Sequence, residues 1–201
     1  RMNPDAPVRR IRLCADDYGI SEGVNRAIRD LVARGRINAT SIMVVGPALS
    51  RDEVDALKNV ADGTSCLLGL HTTLTAPFQP LTMHFKPLAG GAFPSLGAML
   101  LSGAMRRLDT EIVQAEIAAQ LRAFIDSVGR APDYVDGHQH VQLFPQVRDA
   151  FLDAVKAVAP KAWVRQCGRP KPSWQSGGNF KAAIKAGLLD TLSATFRRRC
   201  A

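Results

Sequence analysis

Short apolar runs alternate with segments of helical periodicity along this chain, and that alternation restricts the fold more than any other feature. Residues 11–15, 40–45, 66–70 and 162–165 read as strands, and Tyr134-Val135 begins another that ends near 136–140. Between them, Val24, Ala27, Ile28, Leu31 and Val32 share one helical face, with Ser21 as N-cap and Gly35 as stop. Val54, Leu57 and Val60 suggest a short helix. Ile117, Leu121, Phe124, Ile125 and Val128 form a further face, closed by Gly129. Val147, Phe151, Val155 and Val158 follow Pro145, which suits a first helical turn. Strand, loop, helix, strand predicts an α/β fold with a parallel sheet. Residues 72–108 break the rhythm with four prolines (Pro77, Pro80, Pro87, Pro94) and read as an insertion expected to form a lid or substrate wall.

Polar residues cluster where three of the apolar runs end. Asp16-Asp17 follows the first, His71 the third, and His138 with His140 the fourth. In parallel α/β folds the carboxyl ends of the strands share one rim, so residues far apart in sequence converge there. One carboxylate with two imidazoles is a ligand set for a divalent metal that leaves positions open for water and substrate. Each element also has a plainer reading. Asp16-Asp17 before Tyr18-Gly19 suits a turn or helix cap, and His71 suits a hydrogen-bonded core histidine. Asp136-Gly137 is a hairpin dipeptide, after which His138 and His140 would lie on one face of the next strand. His84, in the proline-rich insertion, receives no metal role.

The stretches Cys14-Ala-Asp-Asp-Tyr-Gly-Ile-Ser, Leu68-Gly-Leu-His-Thr-Thr-Leu-Thr and Val135-Asp-Gly-His-Gln-His-Val-Gln-Leu-Phe-Pro together resemble the three signature blocks of the YdjC-like carbohydrate deacetylases. That family includes chitooligosaccharide and hopanoid-associated deacetylases. The similarity runs from about residue 11 to residue 165, within a single domain over residues 1–201. It implies a (β/α) barrel-like fold and a hydrolase that removes acetyl from an N-acetylated sugar, oligosaccharide or glycolipid. Carried over by motif, Asp17, His71 and His138 hold one divalent ion, magnesium or zinc, and Asp16 takes the place of the catalytic base. His140 matches a further histidine and is the candidate proton donor to the leaving amine. Many relatives carry another histidine where this chain has Gln142, and they continue past position 201, often with a His-Pro element that nothing here matches. The barrel is therefore expected to be incomplete at its C-terminal side.

Arg165, after the fifth strand, could orient Asp16 or hold a substrate oxygen; a surface arginine is its plainer reading. Tyr18 and Trp174 could stack on a sugar ring or simply pack.

The formal net charge of +8 raises a polyanion-binding alternative. Residues 1–159 hold 17 basic and 17 acidic side chains, so the excess lies in the last 42 residues, with nine basic residues and one acid, Asp190. A basic module built on residues 161–199 would give no reason for the strand-end residues, so nucleic acid is not an expected partner. No GxxxxGK[ST] or GxGxxG motif is present. A metal-dependent hydrolase of another amide or ester is the nearer alternative. The four cysteines form no CxxC pair and read as reduced thiols of a cytoplasmic protein. No apolar run reaches a membrane-spanning length, and residues 1–12 do not read as a secretory signal. A homodimer is compatible with all of this.

Overall fold

The computed structural model describes residues 11–86, 88–168 and 180–200. Trp174 lies outside them. Five strands, β1 (Cys14–Tyr18), β2 (Ala39–Ile42), β3 (Leu67–Thr72), β4 (Tyr134–Gly137) and β5 (Trp163–Val164), alternate with helices α1 (Glu22–Ala33), α2 (Arg51–Asp62), α3 (Leu96–Ala104), α4 (Thr110–Val128), α5 (Val147–Val158) and α6 (Phe180–Cys200). The sheet runs β1-β2-β3-β4-β5, parallel throughout.

Strand order decides the architecture. Parallel crossovers are right-handed, so a sheet whose order never reverses sends every crossover helix to the same face. The helices confirm it by packing on one another: α4 lies along α5, and α2 touches both α1 and α4. The result is a singly wound arc of barrel type, the expected α/β class, and not a doubly wound sheet. Its core lies between strands and helices. Leu68, Leu70 and Val135 meet Leu57, Leu121, Phe124 and Phe151 there, all buried. Alternate residues of the same strands face the concave side, and these are mostly polar.

Local signals account for most boundaries. Ser21 caps α1 by accepting from the Val24 N–H, and Gly129 ends α4 in left-handed backbone at φ 84°. Several expectations need correction. β1 starts later than expected and runs through Asp16 and Asp17, whose carboxylates find partners at the ends of the neighbouring strands, Arg165 for Asp16 and both His71 and His138 for Asp17. His71 lies within β3 and not after it, with only 3% of its surface exposed. Asp136-Gly137 ends parallel strand β4 within the expected range and turns into a short 3-10 segment, His138–Leu143, so the plainer hairpin reading does not hold. The insertion contains α3, whose uniformly apolar sequence gave no helical stripe.

Candidate metal centre

The first block reaches the site through a distortion of β1. Its pairing with β2 runs Ala15↔Thr40 and then Tyr18↔Ile42, so β1 spends three steps where β2 spends two. The extra residue is a bulge, and Asp17 occupies left-handed backbone at φ 68°. Aspartate tolerates that region better than most residues. The local bend thus falls on Asp17 itself.

Asp17 Oδ1 lies 2.8 Å from His138 Nδ1 and 3.1 Å from His71 Nε2. The three donor atoms lie within 4.8 Å of one another. Donors about 2.0–2.2 Å from a shared cation are themselves roughly 3–3.6 Å apart in tetrahedral geometry, so the set fits a divalent ion after small adjustment. Exposure suits that use. His71 and His138 are 3% and 12% exposed, whereas the Asp17 side chain is 36% exposed, which opens one side to water and substrate. The rings meet edge to face at 5.4 Å, and Phe78 from the insertion packs edge-on against His138 at 5.7 Å.

Electrostatics mark the same spot. Hydrogen bonds from His138 and then His71 hold the Asp17 carboxyl well below the usual carboxylate range. Burial works against a charged His71, but hydrogen bonds to Asp136 and Asp17 outweigh it and raise its pKa to about 9. A carboxylate gathering two imidazole protons marks a position that a cation would occupy in their place.

Asp16 points to the concave side next to this group. Arg165 grips it with two hydrogen bonds, Nη1 to Oδ1 at 2.7 Å and Nη2 to Oδ2 at 2.6 Å. Burial pushes the Asp16 carboxyl up, yet the Arg165 hydrogen bonds and charge prevail and leave it below its ordinary value. Of the arrangements open to Arg165, the described side chain adopts contact with both oxygens of Asp16. Cys14, Asp16 and Asp136 form a second cluster of ligand-type atoms. The Arg165 guanidinium lies against both of its carboxylates, so a cation is already built into that position.

Two residues were missed by sequence reasoning. Asp136, fully buried, places Oδ1 2.5 Å from His71 Nδ1; the residue is the in-register partner of His71 across β3 and β4. Ser41 sits 3.3 Å from both Asp16 Oδ1 and His71 Nδ1. Only strand register could reveal either. His140 lies in the 3-10 segment, half-buried at φ 61°, outside the three-donor group. Tyr18 is not brought to the site. It is fully buried, and its hydroxyl donates to Glu53 and accepts from Arg29, so it has no face to offer a sugar ring.

Comparison with known proteins gives the chain's relatives. The chain is 31% identical over 155 residues to a carbohydrate deacetylase of Homo sapiens, covering 75% of this chain and 46% of that protein. It is 34% identical over 134 residues to a chitooligosaccharide deacetylase of Escherichia fergusonii, covering 66% and 50%. The chain thus spans about half the length of the curated relatives it matches. A solved structure from Enterococcus faecalis V583, of a protein provisionally named for cellobiose-phosphate cleavage, superposes with a TM-score of 0.58 at 21% identity. It covers 90% of this chain and 63% of that one, and shows the fold alone. The family model described as YdjC-like protein matches residues 10–200. With nearly its whole length matched, the chain belongs to the YdjC-like family.

Proposed function

We propose that this chain carries the site of a metal-dependent deacetylase that hydrolyses the N-acetyl group of an acetylated carbohydrate. One observation carries the reading: Asp17, His71 and His138 converge from three strand ends beside an Arg165-held Asp16. The names of the relatives support the substrate class.

Asp17, His71 and His138 would hold the ion. The chemistry supplied by a bound divalent cation, magnesium or zinc, would be to acidify a water and polarise the acetyl carbonyl. Asp16 takes the proton of the attacking water. Arg165 keeps it ionised and fixes both its oxygens, so the carboxylate arrives pre-oriented. Phe78 walls the site beside His138 and limits water on that side. His140 delivers a proton to the departing amine. No helix among the described residues is long and apolar enough to cross a membrane, and all four cysteines are free. Free thiols support a cytoplasmic location.

The test is acetate release from N-acetylglucosamine oligomers and N-acetylated glycolipids, measured with magnesium, with zinc and with chelator. Cation-dependent acetate release that disappears in Asp16→Asn is the expected result. Cleavage of a different amide or ester, with no acetate from any of these sugars, would move the substrate assignment elsewhere.

A further inference from the structure

Asp136 is the buried charge that the proposed reaction leaves unused. Its side chain is completely buried, an expensive place for a carboxylate unless both oxygens are occupied. Each has a partner: Oδ1 lies 2.5 Å from His71 Nδ1, and Oδ2, which accepts no hydrogen bond, lies 3.1 Å from Arg165 Nη1 in a charge contact alone. Parallel register places them so: His71 pairs with Asp136 across β3 and β4, and the Arg165 N–H donates to the Val135 carbonyl beside it.

We infer that Asp136 is the positioning residue that selects which nitrogen of His71 faces the cation, and that Arg165 makes a carboxylate necessary there. The inference rests on the metal-centre reading above. An imidazole that ligates through Nε2 must carry its remaining proton on Nδ1. An ionised carboxylate only accepts, so Asp136 admits only the Nδ1–H form. Ser41 Oγ, 3.3 Å from the same nitrogen, both donates and accepts, and cannot make that choice.

An isosteric amide exposes the second half of the device. Asparagine at 136 carries one oxygen and one NH2. Arg165 repels the NH2, so the oxygen turns toward the guanidinium and the NH2 toward His71 Nδ1. That nitrogen must then accept, which moves the ring proton to Nε2 and removes the lone pair from the ion's position.

The experiment titrates the full chain with Zn2+ by calorimetry and reads the ring protons by 15N-histidine NMR. The zinc-loaded wild type should show His71 protonated on Nδ1 and bare on Nε2. Asp136→Asn should bind Zn2+ about 10- to 100-fold more weakly and lose that pattern at the concentration that saturates wild type. In an Arg165→Met background the same substitution should cost less than about threefold, because nothing then dictates how the amide sits. Asp136→Asn binding like wild type with His71 still protonated on Nδ1 overturns the inference and leaves the metal centre standing. An undiminished loss in the Arg165→Met background overturns the part given to Arg165. Wild type taking up no Zn2+ takes down the metal centre and this inference together. Should Asp136→Asn not fold, the wild-type spectrum decides: a His71 protonated on Nε2 refutes the inference.

Discussion

Gly69→Ala tests whether the concave face is built as tightly as its rungs imply. Gly69 pairs in register with Tyr134, and Tyr134 with Trp163. A Cβ added at Gly69 would lie 2.5 and 2.7 Å from Cε2 and Cε1 of the Tyr134 ring, and closer still to Cζ. Carbon atoms in ordinary contact sit roughly 3.5–4.0 Å apart, so the ring would have to retreat by about 1 Å. It has little room. Trp163 stacks on it with centroids 4.6 Å apart and planes 20° from parallel, and the Tyr134 hydroxyl lies 2.9 Å from Cys14 Sγ. Overpacking costs about 1–3 kcal/mol, and disturbing an aromatic stack adds about 0.5–1.5 kcal/mol, so a loss of about 2–4 kcal/mol is expected. The assay is urea unfolding of wild type, Gly69→Ala, Tyr134→Ala and the double variant. In the Tyr134→Ala background the methyl meets no ring, and its cost should fall below about 1 kcal/mol. Equal costs in both backgrounds, or a single-variant loss under about 0.5 kcal/mol, would refute the steric account.

Further outcomes follow from the same contacts. Asp17→Ala, His71→Ala and His138→Ala should each weaken cation binding by at least about 100-fold, more than loss of a supporting residue; elemental analysis after dialysis reads this, and unchanged metal content in all three refutes the ligand set. Arg165→Met removes the charge and hydrogen bonds that lower the Asp16 pKa. The ionised carboxylate is the active form, so activity should disappear at a higher pH on the acid side. A pH–rate profile whose acid limb stays in place would deny Asp16 the role of base. Glu116 is a buried carboxylate that accepts from the N–H groups of Leu81 and Thr82, the Thr82 hydroxyl and Gln120 Nε2, at 2.7–3.0 Å. Glu116→Ala should cost about 2–4 kcal/mol and speed hydrogen exchange at Leu81 and Thr82, because those donors lose a charged acceptor. Unchanged exchange there would mean that the loop is held by other contacts.

How much of this was readable in advance depended on the range of the interaction. Helix faces and caps are local, so Ser21, Gly129 and the stripe from Ile117 to Val128 were legible. The ends of β1 and β3 were not. Aspartates and a histidine look like loop residues until their partners, Arg165 and Asp136, arrive from strands 65 to 149 positions away. Asp136 itself was hidden behind a dipeptide that favours turns. Nothing local distinguishes a buried strand carboxylate from a hairpin one; the difference is the neighbouring strand. The concave triad was legible because a three-block motif carries long-range information that periodicity lacks. α3 escaped for the opposite reason: a helix without a polar face leaves no period to detect.

The bulge in β1 ties together the two readings of the first block that came out differently. Side chains alternate along a strand, so Cys14 and Asp16 on the concave side would, in a regular strand, put Asp17 among the helices and Tyr18 into the site. One extra residue reverses that parity from Asp17 onward. Asp16 keeps its inward direction and meets Arg165. Asp17, held at φ 68°, also reaches the concave rim and meets both histidines. Tyr18 is then carried outward to Glu53 and Arg29, under α1 and α2. Two adjacent carboxylates acquire different partners at about 1–2 kcal/mol of left-handed backbone, and the same step withdraws the tyrosine. A sugar-stacking Tyr18 and a cation-holding Asp17 are thus mutually exclusive in this strand: any backbone that grants one denies the other.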